Sequence, residues 1–249
     1  MADYDNRLMR GATTVADRVD AGLRAHMLRV YNYMVGALAL TGAVAWLVSS
    51  SPVLLNAFYH QVVTANGVAL SPTILGWVVM LAPLGLVFFL SFRIMQMSQA
   101  AAQATFWAYA AMVGASLASI LIVYTGASVA LTFFVTAATF GAMSLWGYTT
   151  SRDLTGMGSF LFMGLIGLVL ASLANLFFHS TQLQFVVSVL GVLIFTGLTA
   201  YDSQSIKNMY FVGDNGELMG KKAIMGALRL YLDFINLFLF LLRFMGNRR

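Results

Sequence analysis

Asp202 and Asp233 are the two acidic residues of this chain that fall inside stretches apolar enough to cross a membrane. An ionised carboxylate at mid-bilayer costs roughly 2.5–3.5 kcal/mol on insertion scales, so such a residue pairs, faces a wet cavity, or carries protons or ions. Two carboxylates that meet in a low dielectric cannot both ionise cheaply, and they titrate as one coupled unit. Together they attract a divalent cation but fall short of the roughly 6–8 oxygens of a tight site, which points to weak, transient binding. A plainer account also fits the spacing. Asp233 can pair with Arg229 one turn earlier, for a few tenths of a kcal/mol, and Asp202 can be a solvated helix-end residue.

The residues around the pair form stripes. Arg229, Asp233, Asn236 and Arg243 recur at helical spacing, with Phe240 at the remaining step, on an otherwise Leu- and Phe-rich segment. Such a helix turns its polar face toward other helices or a water-filled path. Thr196, Thr199, Asp202 and Ser203 repeat the pattern on the preceding segment, and the two stripes are expected to line one cavity. Arg93 ends an earlier apolar segment at the same depth, where it would favour the charged form of a neighbouring carboxylate. Paired with an aspartate it makes a latch that protonation releases.

These residues need a membrane scaffold to position them. Hydrophobic residues make up 60% of 249 positions and charged residues 9%, against about 25% charged in soluble domains. No charge lies between Arg29 and Arg93, Arg93 and Arg152, or Asp153 and Asp202. With about 20 apolar residues per crossing, each gap holds two spans and a seventh follows Lys222. The expected fold is all-α with seven transmembrane helices, near 28–49, 73–93, 103–124, 128–149, 157–178, 183–203 and 223–244. Residues 1–27 are then a cytoplasmic N-terminal segment able to lie on the membrane surface as an amphipathic helix, and 245–249 a basic C-terminal tail. Some 28 polar and charged residues before the first apolar run do not fit a cleaved signal peptide.

Orientation follows from the basic residues. Five arginines precede the first span, Arg93, Arg152, Lys207, Lys221 and Lys222 mark the even connections, and the odd ones carry no Lys or Arg. The N-terminus is therefore expected to be cytoplasmic. Seven full spans then leave Arg243, Arg248 and Arg249 outside, a conflict with the rule unless the last helix is re-entrant. The pI near 9.6 reflects these topogenic charges and does not argue for nucleic acid. Zero cysteines exclude disulfides and thiolate chemistry. Gly213-Asp214-Asn215-Gly216 reads as a turn, and its acids are too few for an EF-hand.

The segment Gly226-Ala227-Leu228-Arg229-Leu230-Tyr231-Leu232-Asp233-Phe234-Ile235-Asn236 resembles the last helix of the Bax inhibitor-1 (TMBIM) family, and Thr199-Ala200-Tyr201-Asp202-Ser203-Gln204 its sixth-helix motif. The chain resembles a bacterial member. The resemblance implies a last helix wrapped by the other six, a bacterial inner-membrane location, and a pH-sensitive calcium leak. Its diaspartyl sensor falls on Asp202 and Asp233. Its arginine latch falls on Arg93, where the flanking Ser91-Phe92-Arg93-Ile94 is less diagnostic. No cofactor is expected beyond Ca²⁺ as permeant or weakly bound ion, and the expected partners are the bilayer, protons, Ca²⁺ and another membrane protein.

Two other classes use the same residues. An intramembrane aspartyl protease also sets Tyr-Asp on one helix and a second aspartate on another, but Leu232-Asp233-Phe234 lacks a preceding Gly-x-Gly and no Pro-Ala-Leu follows. A non-transporting interaction protein would rely on its basic N-terminal segment instead.

Overall fold

The computed structural model describes the backbone of residues 2–64 and 67–248, and the side chains of 21–60, 62 and 71–248. Among the described residues seven helices are long and apolar enough to cross a membrane: α1 (Ala2–Ser50, apolar from Ala21), α3 (Ile74–Arg93), α4 (Gln99–Val123), α5 (Gly126–Thr149), α6 (Thr155–Phe178), α7 (Thr181–Asn208) and α8 (Gly216–Met245). Between α1 and α3 lie a short helix α2 (Pro52–Phe58) and a two-stranded antiparallel hairpin, β1 (Tyr59–Thr64) with β2 (Gly67–Pro72). The hairpin was not foreseen. It fills the long 50–72 connection and is pinned to α4 by the Tyr59 hydroxyl, which donates to the Ser116 carbonyl at 3.4 Å.

Short connections work because their last residue caps the next helix. Thr73, Ser98, Thr125, Ser180 and Asn215 each accept a hydrogen bond from the amide three residues on, at 3.0, 3.2, 3.3, 3.2 and 2.8 Å. Each satisfies one of the amides that a helix start leaves open. The expected long sixth connection, 204–222, shrinks accordingly. α7 runs on to Asn208, Asn215 starts α8, and Lys222 closes the turn between them by donating to the Met209 carbonyl and pairing with Asp214.

α8 is the central helix. In its most apolar stretch 67% of residues are buried, against 6% in α6. Its main neighbours are α1, α4, α5 and α7, while α3 packs outside on α4 and α6 outside on α7. The wrapping expected of six helices is thus mainly the work of four. Tyr231, fully buried on α8, ties the centre together: its hydroxyl donates to Thr41 on α1 at 2.7 Å, and Thr41 donates to the Ala110 carbonyl on α4 at 2.9 Å.

The two ends of the chain bear on the topology. α1 is helical without a break from Ala2, so no helix end separates residues 1–27 from the first span. The amphipathic face expected there lies mostly outside the described side chains. At the other end Asn247 accepts from the Thr125 amide at 3.1 Å and donates to the Ser128 hydroxyl at 2.9 Å. These bonds hold Asn247 against the α4–α5 turn. α8 runs unbroken from Gly216 to Met245, and Arg243 and Arg248 lie on the face of the odd connections, so the conflict with the charge rule stands.

Candidate functional site

Three consecutive residues of α7 point to three different neighbours. Gln204 clamps the α5–α6 loop, accepting from the Leu154 amide at 2.9 Å and donating to the Arg152 carbonyl at 2.8 Å. Ser203 turns toward α5. Its hydroxyl donates to the Thr199 carbonyl at 2.7 Å, so Ser144 must donate to Ser203, and Tyr31 of α1 to Ser144, each at 2.7 Å. That fixes the rotation of α7 and leaves Asp202 facing the remaining side, a cleft of about 700 Å³ between α6, α7 and α8.

Asp233 enters the same cleft from α8. Its carboxyl group and that of Asp202 line this cleft together, close enough for each to act on the other. Asp233 is 4% exposed, and its Oδ2 meets no N–H or O–H donor among the described residues. The Asp202 side chain is 15% exposed, with the Arg229 guanidinium 3.9 Å from its Oδ1. Arg229 also donates to the Ser205 hydroxyl at 3.4 Å. Asn236 lines the cleft too; its Nδ2 is used on the Leu232 carbonyl at 2.8 Å, which leaves its Oδ1 as a neutral oxygen on the same wall.

The structure thus brings together Asp202, Asp233, Arg229 and Asn236, and the polar stripe read on the last helix lines one cleft. The stripe read on α7 does not. Of its members Asp202 alone lines the cleft, while Thr199 is buried and bonded to its own helix, Ser203 is buried against Ser144 of α5, and α7 adds Phe195, Leu198 and Tyr201. The α7 stripe fails because hydroxyls can return their hydrogen bonds to their own helix, so their spacing does not mark a wet face. Arg93 lies apart. It is exposed, its Nη1 donates to Gln96 at 2.8 Å, and it makes no ion pair among the described residues. The cation beside the aspartates is Arg229, an inter-helix pair in place of the in-helix pair with Asp233.

Tyr201 is the neighbour whose placement spacing alone does not reveal. Its ring fills the position that a Cβ on Gly158 of α6 would occupy, 2.5 Å from the ring carbons, so only glycine there lets α6 close over the pair. A second cleft of about 700 Å³ continues along the same three helices and shares Leu165, Val169, Phe195 and Asn236 with the first. Phe195 and Phe240 stack at 5.8 Å where the two meet, and Phe240 rests against the backbone of Gly191. Among the described residues no three His, Cys, Asp or Glu side chains converge as a metal site, so the pair offers a cation two carboxyls and little else.

Residues 23–249 match the family described as "Inhibitor of apoptosis-promoting Bax1". A protein of Rickettsia prowazekii is 48% identical over the whole of both chains. The inner membrane protein YbhL of Escherichia coli K12 is 46% identical over 98% of this chain and 100% of its own, and a Caulobacter vibrioides protein is 47% identical over 93% and 92%. With seven apolar helices and a family match over nearly its whole length, the chain is a multi-pass membrane protein belonging to the Bax inhibitor family.

Proposed function

We propose that this chain is a pH-sensitive calcium-leak pathway of the bacterial inner membrane, N-terminus cytoplasmic, gated by protonation of Asp202 and Asp233. The observation that carries the reading is the meeting of the two carboxyl groups in a half-open cleft, one of them with an oxygen that no donor among the described residues reaches. A proton held between the carboxyls satisfies that oxygen, and so does a cation, so proton and Ca²⁺ compete for one position. Arg229 responds to the outcome. While Asp202 is ionised the guanidinium 3.9 Å away is held across the α7–α8 interface; once both carboxyls are protonated it is released. Weak coordination suits a leak, because a permeant ion must also leave. The likeness to YbhL, an inner membrane protein, supports the location.

The test is Ca²⁺ entry into dye-loaded proteoliposomes containing the purified chain, against empty vesicles. Entry above the empty-vesicle rate supports the pathway. No entry at any pH, with the protein folded and inserted, removes it and favours the interaction-protein class. Cleavage of a membrane-spanning peptide that needs both aspartates would move the assignment to a protease.

A further inference from the structure

The basic end of α8 has no acidic counterpart on its face of the molecule. The connection 51–73, the turns at 124–125 and 179–180, and the segment 246–249 contain no Asp or Glu. Of the acids on α1 the last is Asp20, some 30 residues before Ser50, which is about 45 Å along a helix. Asp233 is ten residues from Arg243, about 15 Å down α8. The Arg243 and Arg248 guanidinium groups lie over rings, Phe240 at 5.7 Å and Tyr124 at 5.8 Å, and neither joins an ion pair among the described residues. Among the described residues no acid neutralises them, which leaves both guanidinium groups open to an anion from outside.

Both arginines stand at one end of the second cleft, joined there by Gln184 and His179. The rest of its wall is mainly aliphatic, with Phe195 and Phe240 and the polar Ser172, Asn175 and Asn236 among it, and several of the aliphatic side chains, Val169 at 49% and Leu173 at 52% exposure among them, face outward from the bundle. The shape is a lipid-facing apolar groove with two cations at the membrane surface. Its volume of about 700 Å³ falls within the ~300–1,000 Å³ of ligand pockets.

We infer that the α6–α7–α8 groove binds one anionic phospholipid, its acyl chain along Val169 and Leu173 and its phosphate on Arg243 and Arg248. Guanidinium groups suit this role because their planar donors match phosphate oxygens in pairs. The site also accounts for arginines on the face where basic residues are otherwise missing: a fixed lipid phosphate replaces the absent acids. The lipid chain and a permeating ion would compete for this second cleft, so the test of this site reads lipid retention and not flux.

Native mass spectrometry of the full chain in detergent, equilibrated with equimolar phosphatidylglycerol and phosphatidylcholine, tests it. The wild type should retain one phosphatidylglycerol in preference to phosphatidylcholine. Arg243→Gln and Arg248→Gln should each weaken that preference roughly fivefold, the share of one basic residue at an anionic surface. Arg152→Gln, an exposed arginine of the opposite face, should leave it unchanged, and Leu173→Trp should lower retention of both lipids by filling the groove. The inference is overturned if the double arginine variant keeps the preference, if Arg152→Gln lowers it equally, or if inorganic phosphate alone displaces the bound lipid. Gel filtration and thermal unfolding of each variant separate lost binding from lost folding.

Discussion

Arg229 pairs across the helix interface with Asp202 at 3.9 Å, while Asp233, four residues along its own helix, stays 4% exposed and without an ion pair among the described residues. The cation is therefore spent on the more open member of the couple, and the buried member depends on its partner carboxyl. This asymmetry sets different expectations for each residue.

Arg229→Gln removes the cation but little stability. At 41% exposure and near the limit of ion-pair distance, the contact contributes no more than about 1 kcal/mol. The expected result is a nearly unchanged unfolding temperature with an altered pH profile of Ca²⁺ entry. Arg93→Gln, which loses only a bond to Gln96, should shift that profile less than Arg229→Gln does.

Phe195 and Phe240 close the junction between the two clefts. An apolar constriction of this kind excludes water and hence ions. Phe240→Ala should raise the leak at every pH without removing its pH dependence, measured in the same vesicles. An unchanged leak would show that the second cleft is not part of the route.

Gln204→Ala breaks two hydrogen bonds to the α5–α6 loop and leaves an amide and a carbonyl to find other partners, at about 1–3 kcal/mol. Hydrogen exchange should rise at Arg152 to Leu154 well before it rises in α8. Equal acceleration in both would show that the clamp stabilises the whole bundle and not one loop.

Asp153 gives a pH effect outside the membrane. Its Oδ1 accepts from the Thr155 amide at 2.9 Å and hydroxyl at 2.6 Å, and these bonds hold its carboxyl below the usual carboxylate range. A carboxyl lower in the folded than in the unfolded state stabilises above the unfolded value, near 3.9, and the contribution is lost as pH falls below it. Exchange of the Thr155 amide should therefore gain an extra acid-dependent component below about pH 4, absent in Asp153→Asn.

Much of this architecture is legible in the chain because charge segregation is coarse. Gaps empty of Asp, Glu, Lys and Arg bracket the spans, and the 4-3 spacing of Arg229, Asp233 and Asn236 marks one face of α8. What spacing does not carry is rotation about a helix axis when the polar groups are hydroxyls. Thr199 and Ser203 share the period of Asp202, yet hydrogen bonds to α7 itself and, for Ser203, to Ser144 of α5 keep them off the cleft wall. Partner choice was equally hidden: Arg229 lies one turn from Asp233 in sequence, but the approach of α7 brings Asp202 to it. The hairpin at 59–72 was missed because its alternation is short and sits between long apolar runs.

The most direct test of the shared gate is the pH dependence of Ca²⁺ entry across roughly pH 5.5–8, compared between wild type, Asp202→Asn and Asp233→Asn in identical vesicles. An asparagine at either position can still hydrogen-bond its neighbour but cannot exchange a proton with it. The account predicts a wild-type leak that rises as pH falls and a flattened profile in both variants. A profile of unchanged shape in either variant would contradict it, because the pH response would then arise elsewhere in the protein.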